Sequence, residues 1–91
     1  MGLELLVITI RVEKAFALRV QRHDLFPFGT DPRTFTVGDA YDRLIELLWR
    51  ADRPVPPDSW ERFRACVGDE LSIEPSQISR TDRFRADLGA E

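Results

Sequence analysis

The sequence predicts an all-α domain, a small bundle of three or four helices. Two segments, residues 36–50 and 58–71, open with residues that cap helices and then place apolar side chains at helical spacing. A third segment, residues 3–18, contains neither glycine nor proline, and this length is unusual for a strand. The chain of 91 residues is 43% apolar, which suits one domain with one modest core.

The first segment, residues 3–18, fits two patterns. Val7 to Val12 alternates and is rich in β-branched side chains, which alone would indicate a strand. Apolar residues also recur at helical spacing, at Leu5, Ile8, Val12 and Phe16. A helix would leave charged residues outside, namely Glu4, Arg11 and Lys14. The length of the segment favours the helix.

Residues 19–35 are turn-rich and predict an irregular connection, because they contain the run Phe26-Pro27-Phe28-Gly29. Four apolar side chains lie in it: Leu25, Phe26, Phe28 and Phe35. They either pack over the core as a closed loop or form a patch on which a partner docks.

The next segment predicts a well-defined helix from Thr36 to about Arg50. Thr36 is a good N-cap residue, and Asp39 is placed to complete a capping box. Residues 51–59 then form a linker, because three prolines within four positions (54–57) exclude a helix and stiffen the chain.

Another helix is predicted after this linker. Asp58 or Ser59 caps it, and Asp58 with Glu61 has the spacing of a capping box. Its expected buried face consists of Trp60, Phe63, Val67 and Leu71. Residues 74–78 predict a short turn or a single helical turn.

The two ends of the chain together resemble one motif. The last eight residues, 84–91, read F-R-A-D-L-G-A-E, and the first six read M-G-L-E-L-L. Joined tail to head, they resemble the signature F-x-x-D-L-G-x-D-S-L-[DE] of acyl carrier proteins. The resemblance implies that the serine of this signature, which carries the phosphopantetheine arm in that family, is replaced by Gly2.

Other fragments extend the resemblance to about three quarters of the chain. Residues 60–91 resemble helix one of the family and the loop that follows it, including L-S-I-E-P-S-Q-I at 71–78. Residues 1–50 resemble helices two to four, with T-V-G-D at 36–39 as the start of the last helix. The resemblance implies a circularly permuted, carrier-protein-like bundle in one domain, residues 1–91, either as a monomer or as a swapped homodimer.

The same resemblance implies a function without catalysis. Because Gly2 has no hydroxyl, no cofactor is expected at the usual site, and the chain would dock onto an enzyme or carrier of fatty-acid or polyketide metabolism. The expected docking residues are Glu4, Arg11, Glu13, Lys14, Phe26 and Phe28. The alternative is a working carrier that holds phosphopantetheine on another serine or through a companion chain.

Composition and side-chain patterns bear on the remaining functions. A net charge of −3 opposes nucleic-acid binding, and the apolar stretch at 3–12 is too short and too charged to span a membrane. The single cysteine, Cys66, excludes an intrachain disulfide and fits a buried residue in a reducing cytoplasm. We therefore expect a cytoplasmic protein.

No motif predicts a catalytic or metal site, so we expect no enzyme. His23 and Asp24 are neighbours in a predicted loop and favour a solvated pair. The carboxylates of Asp82, Asp87 and Glu91 are irregularly spaced and favour helix capping over metal binding. The basic run of Arg80, Arg83 and Arg85 favours a solvated face, with contact to a phosphate or an acidic partner as the alternative.

Overall fold

A computed structural model describes residues 3–31 and 33–90 of the chain. These residues form four α-helices and one 3₁₀ turn, and no strand lies among them. The elements are α1 (Leu3–Phe16), α2 (Arg22–Leu25), α3 (Val37–Arg50), α4 (Ser59–Leu71) and the 3₁₀ turn (Pro75–Gln77). The all-α prediction of a small helical bundle is confirmed.

The first segment is a helix, and the strand pattern of its β-branched residues does not determine its structure. The helix buries one face, formed by Leu5, Ile8, Thr9, Val12 and Phe16. Thr9 is accommodated there because its hydroxyl donates a hydrogen bond of 2.9 Å to the Leu5 carbonyl. Burial of this face outweighs the weak helix propensity of the β-branched residues.

Helix α1 ends at Phe16, two residues before the predicted end. Ala17 has a φ of 49°, a left-handed conformation that stops the helix. The Arg53 guanidinium, from the linker, donates hydrogen bonds of 3.1 and 2.9 Å to the carbonyls of Phe16 and Ala17. A cation therefore satisfies the carbonyls at this helix end, where it is also favoured by the helix dipole.

Helix α3 begins as predicted. The Asp39 amide donates to the Thr36 hydroxyl at 3.1 Å, and the Thr36 amide donates to the Asp39 carboxylate at 3.0 Å. These two bonds form the expected capping box and satisfy two amides at the helix start. The helix buries Val37, Gly38, Ala40, Leu44 and Leu48.

Helix α4 begins at Ser59, the last residue of the expected linker, and its predicted capping box is wrong. The Asp58 side chain makes no capping hydrogen bond, and its carboxylate instead accepts a bond of 3.0 Å from Arg62 one turn later. The predicted inner face is confirmed for Phe63 and Val67, which are fully buried. Trp60 and Leu71 pack at its edge and are partly buried.

The connection between α1 and α3 is more ordered than predicted. It contains α2, whose start is closed by a capping box between Gln21 and Asp24. Leu25 and Phe26 at the end of α2 are buried, whereas Phe28 is 83% exposed. The four apolar residues of this segment therefore do not act as one group.

The C-terminal segment crosses the start of α3. The amides of Val37 and Gly38 each donate a hydrogen bond of 2.8 Å, to the carbonyls of Asp82 and Arg80. A Cβ atom at Gly38 would lie 2.8 Å from the Arg80 carbonyl oxygen, so this approach requires glycine. Phe84 follows and is buried in the core.

Residues 3–31 and 33–90 include no helix that combines the length and apolar character needed to cross a lipid bilayer.

Candidate functional site

The charged residues expected to dock a partner are partly engaged within the fold. Arg11 pairs with Glu70 of α4 at 3.3 Å. The Glu13 carboxylate accepts a hydrogen bond of 2.9 Å from the Val20 amide and so fixes the chain after α1. Lys14 is exposed, and Glu4 is partly exposed in the first turn of the helix.

The outer face of α1 carries apolar residues that we did not assign to a docking surface from the sequence. Leu3 is 69% exposed, Leu6 40% and Ile10 41%. They are three and four positions apart, so they lie on one side of the helix, opposite the buried face. We call them the α1 stripe. Their spacing is visible in the sequence, but the same helix has a second apolar face, and the spacing alone does not show which face is buried.

A groove of about 450 Å³ lies between α1 and α4. It is lined by Arg11, Lys14, Ala15, Arg62, Ala65, Cys66 and Asp69. Its charges are largely balanced, because Asp69 lies in the groove, Glu70 pairs with Arg11, and Asp58 pairs with Arg62. The groove therefore offers no concentrated positive charge to an acidic partner.

Cys66 is buried at the edge of this groove, as its position in the apolar register predicted. Burial raises the pKa of its thiol to about 11, and the nearby Asp69 carboxylate acts in the same direction. The thiol stays protonated at neutral pH, so it is a poor nucleophile there.

Three phenylalanines pack against one another, and we call them the Phe cluster: Phe26, Phe35 and Phe84. The rings of Phe26 and Phe84 meet edge to face at 5.2 Å, and those of Phe35 and Phe84 stack at 6.3 Å. The cluster borders a cavity of about 160 Å³. The cavity is lined by Leu5, Arg22, Phe26, Pro27, Phe28, Gly29, Thr30, Phe35 and Phe84.

The two phenylalanines expected to dock a partner have different environments. Phe26 is 5% exposed and lines the cavity from within the core. Phe28 lies at the outside of the same cavity, and its ring stacks on His23 with centroids 5.4 Å apart. The structure brings both residues to one cavity, but only Phe28 offers an exposed ring.

The polar groups considered for catalysis have structural partners. His23 Nε2 lies 3.8 Å from Asp24 Oδ1, and both residues belong to α2, whereas we expected a loop. Asp24 Oδ2 accepts a bond of 2.8 Å from the Gln21 amide, so this carboxylate caps the helix. The contacts of His23 and Asp24 within the described residues are therefore those of a helix cap.

Two of the three arginines of the basic run form ion pairs, and Arg85 is exposed. Arg80 binds the Asp42 carboxylate at 2.8 Å, and Arg83 binds Asp87 at 3.0 Å. The Arg83 side chain and its backbone amide together hold the pKa of Asp87 below its ordinary value. Asp87 thus closes the turn that carries Phe84.

Arg80 also belongs to a third group of residues. Its guanidinium lies 5.3 Å from the Tyr41 ring and 5.9 Å from the Trp60 ring. The Tyr41 hydroxyl shares a hydrogen bond of 2.5 Å with the Ser59 hydroxyl. We call Tyr41, Trp60 and Phe63 the Tyr–Trp cluster.

The serines differ in their access to solvent. Ser59 is 3% exposed and bound to Tyr41, so a modifying enzyme cannot reach its hydroxyl in this fold. Ser72, Ser76 and Ser79 are exposed. Gly2, the expected counterpart of the attachment serine, lies outside the described residues, as does Glu91.

Within residues 3–31 and 33–90, no three His, Cys, Asp or Glu side chains are grouped so that they could hold a metal ion. Comparison with protein families, curated proteins and solved structures finds no significant match to the chain.

Proposed function

We propose that this chain is a non-catalytic, acyl-carrier-like domain that docks onto a protein of fatty-acid or polyketide metabolism. One observation carries the proposal. Leu5, from the first turn of α1, and Phe84, from the C-terminal segment, line the same cavity. These residues belong to the two segments that resemble the flanks of the attachment serine, so their proximity supports a permuted order of the same bundle.

The α1 stripe supports docking as the mode of action. When a partner covers solvent-exposed apolar side chains, the burial of their surface lowers the free energy and favours the complex. Arg11 and Lys14 lie on the same helix and would add polar contacts at the edge of such an interface. In this proposal the chain is cytoplasmic and binds no cofactor of its own.

The absence of a modified serine is tested by mass. We expect the intact mass to stay unchanged after co-expression with a promiscuous phosphopantetheinyl transferase, with a known carrier protein as the positive control. An increase of one phosphopantetheine would replace the proposal by its alternative, a working carrier. Ser72, Ser76 and Ser79 would then be the candidates, because each is exposed.

Docking is tested by titrating the chain with purified ketosynthase, acyltransferase and holo-carrier proteins. We expect one of them to bind, and Ile10→Glu on the α1 stripe to weaken this binding. Trp49→Glu is the matched control, because Trp49 is 70% exposed but lies on α3. Equal losses in the two variants, or no binding to any of these proteins, would contradict docking through α1.

A further inference from the structure

The cavity beside the Phe cluster has the size of a single aromatic ring. Its volume is about 160 Å³, and its floor consists of Leu5, Phe26, Phe35 and Phe84. An engineered apolar cavity of about 150 Å³ in another protein stays dry and binds benzene. A flat ring can meet the phenylalanine side chains edge to face or in offset stacks, which are the favourable arrangements.

Of the described residues that line this cavity, Arg22 alone carries a charged side chain. Arg22 is exposed, and its guanidinium makes no hydrogen bond or ion pair with another described residue. Two acids that are close to Arg22 in the sequence have other partners, because Asp24 caps α2 and Asp31 pairs with Arg33. A ligand carboxylate would therefore meet a guanidinium that has no competing partner, in the geometry that arginine favours.

The opening is held by a tight turn. The Thr30 amide donates a hydrogen bond of 3.1 Å to the Pro27 carbonyl, and Gly29 has a φ of 80°. Glycine at the third position with a positive φ is typical of a type II turn. The turn places Phe28 at its tip, 83% exposed beside the opening, where its ring could cover a bound molecule.

We propose that this cavity binds a small aromatic monocarboxylate, with its ring among the phenylalanines and its carboxylate on Arg22. The volume allows one ring and leaves no room for a second. Among the described residues, the lining offers one cation and no carboxylate, which favours a single negative charge on the ligand. This binding is non-covalent and is independent of any docking through α1.

Benzoate and its neutral counterpart, benzyl alcohol, are the probes. In amide-detected NMR titrations of the full chain, both ligands saturably shift signals of residues 22–35 and 84. Arg22→Gln weakens benzoate binding on the order of tenfold, because a charge-assisted hydrogen bond is lost. The same variant leaves the affinity for benzyl alcohol unchanged, since the ring contacts remain.

Arg19→Gln is the matched control, because Arg19 is exposed and lies outside the cavity lining. Both variants keep the melting temperature of the parent chain, which shows that a lost affinity is not lost folding. The proposal is overturned if benzoate gives no saturable shifts at tens of millimolar. It is also overturned if the shifts scatter over the surface, or if both arginine variants weaken benzoate equally.

Discussion

The Tyr–Trp cluster and the Phe cluster are built from similar rings but are held in different ways. In the Tyr–Trp cluster, a hydrogen bond fixes Tyr41 to Ser59, and Arg80 lies over two of the rings. In the Phe cluster, ring contacts alone hold the side chains, and the rings border a cavity.

This difference separates a rigid part of the core from an adaptable one. Directional polar contacts give the Tyr–Trp rings one position, because each alternative would leave a buried hydroxyl unpaired. Rings held by dispersion can shift slightly at small cost, and an adjacent cavity gives them space to do so. The region suited to a small ligand is therefore the one without polar fixation.

The largest expected loss of stability comes from removing one buried ring, and the same change in each cluster compares the two directly. Phe63→Ala removes a fully buried ring and should lower the free energy of unfolding by about 3–5 kcal/mol. Phe84→Ala should cost less, because the space that it leaves joins a cavity already open to water. Urea denaturation measures both. A larger loss for Phe84→Ala would reverse the assignment of rigid and adaptable regions.

A smaller effect is expected at the segment that joins the clusters, since Arg80 lies over two rings of the Tyr–Trp cluster and Phe84 belongs to the Phe cluster. Gly38→Ala places a methyl group 2.8 Å from the Arg80 carbonyl oxygen and forces this segment away from α3. We expect a loss of about 1–3 kcal/mol. Gly29→Ala, which meets no atom within 4 Å, controls for crowding, although its positive φ adds backbone strain. If Gly38→Ala left the free energy of unfolding unchanged, the contact between the C-terminal segment and α3 would not be tight.

The polar fixation of the Tyr–Trp cluster can be tested by a double-mutant cycle. Tyr41→Phe leaves the buried Ser59 hydroxyl without its partner and should cost about 1–2 kcal/mol. Adding Ser59→Ala should recover part of this loss, because no polar group then remains unpaired. Thermal and urea unfolding of the four proteins give the coupling. If the losses of free energy in the two single variants simply added in the double variant, the hydrogen bond would not couple the two residues, and the proposed difference between the clusters would not hold.

The smallest effect is expected at the opening of the cavity. Phe28→Ala should change the free energy of unfolding by no more than about 0.5 kcal/mol, because the ring is 83% exposed. Phe26→Ala, the buried neighbour in sequence, is the control and should cost several times more. Similar losses for the two variants would mean that Phe28 packs into the core in solution.

Local signals explain which parts of the fold were predictable. Helix α3 follows from the capping box of Thr36 and Asp39 and from one apolar face, all within one short segment. The sequence of α1 also fits the alternation of a strand, and the length of the segment, more than its pattern, predicted the helix that the structure has. The capping box at Asp58 failed because this residue does not adopt the extended conformation of a capping residue (φ −98°, ψ 22°), and its carboxylate pairs instead with Arg62 one turn later.

The candidate sites were less predictable than the helices. Phe26 and Phe28 look alike in the sequence, yet the chain turns between them so that one is buried and the other is not. Arg22 belongs to no motif, and its place at the cavity depends on contacts between α1, α2 and the C-terminal segment. The α1 stripe was visible in the spacing of the residues, but its exposure depends on where the other helices pack.

The contacts of Arg53 influence how the linker connects the two halves of the chain. Its side chain is bound to the end of α1, and its amide donates a bond of 2.8 Å to the Leu48 carbonyl near the end of α3. Residues 54–58 are therefore the part of the linker that lies between this anchored residue and the start of α4. One residue thus ties the start of the linker to the ends of both α1 and α3, which limits the directions in which the chain can continue toward α4.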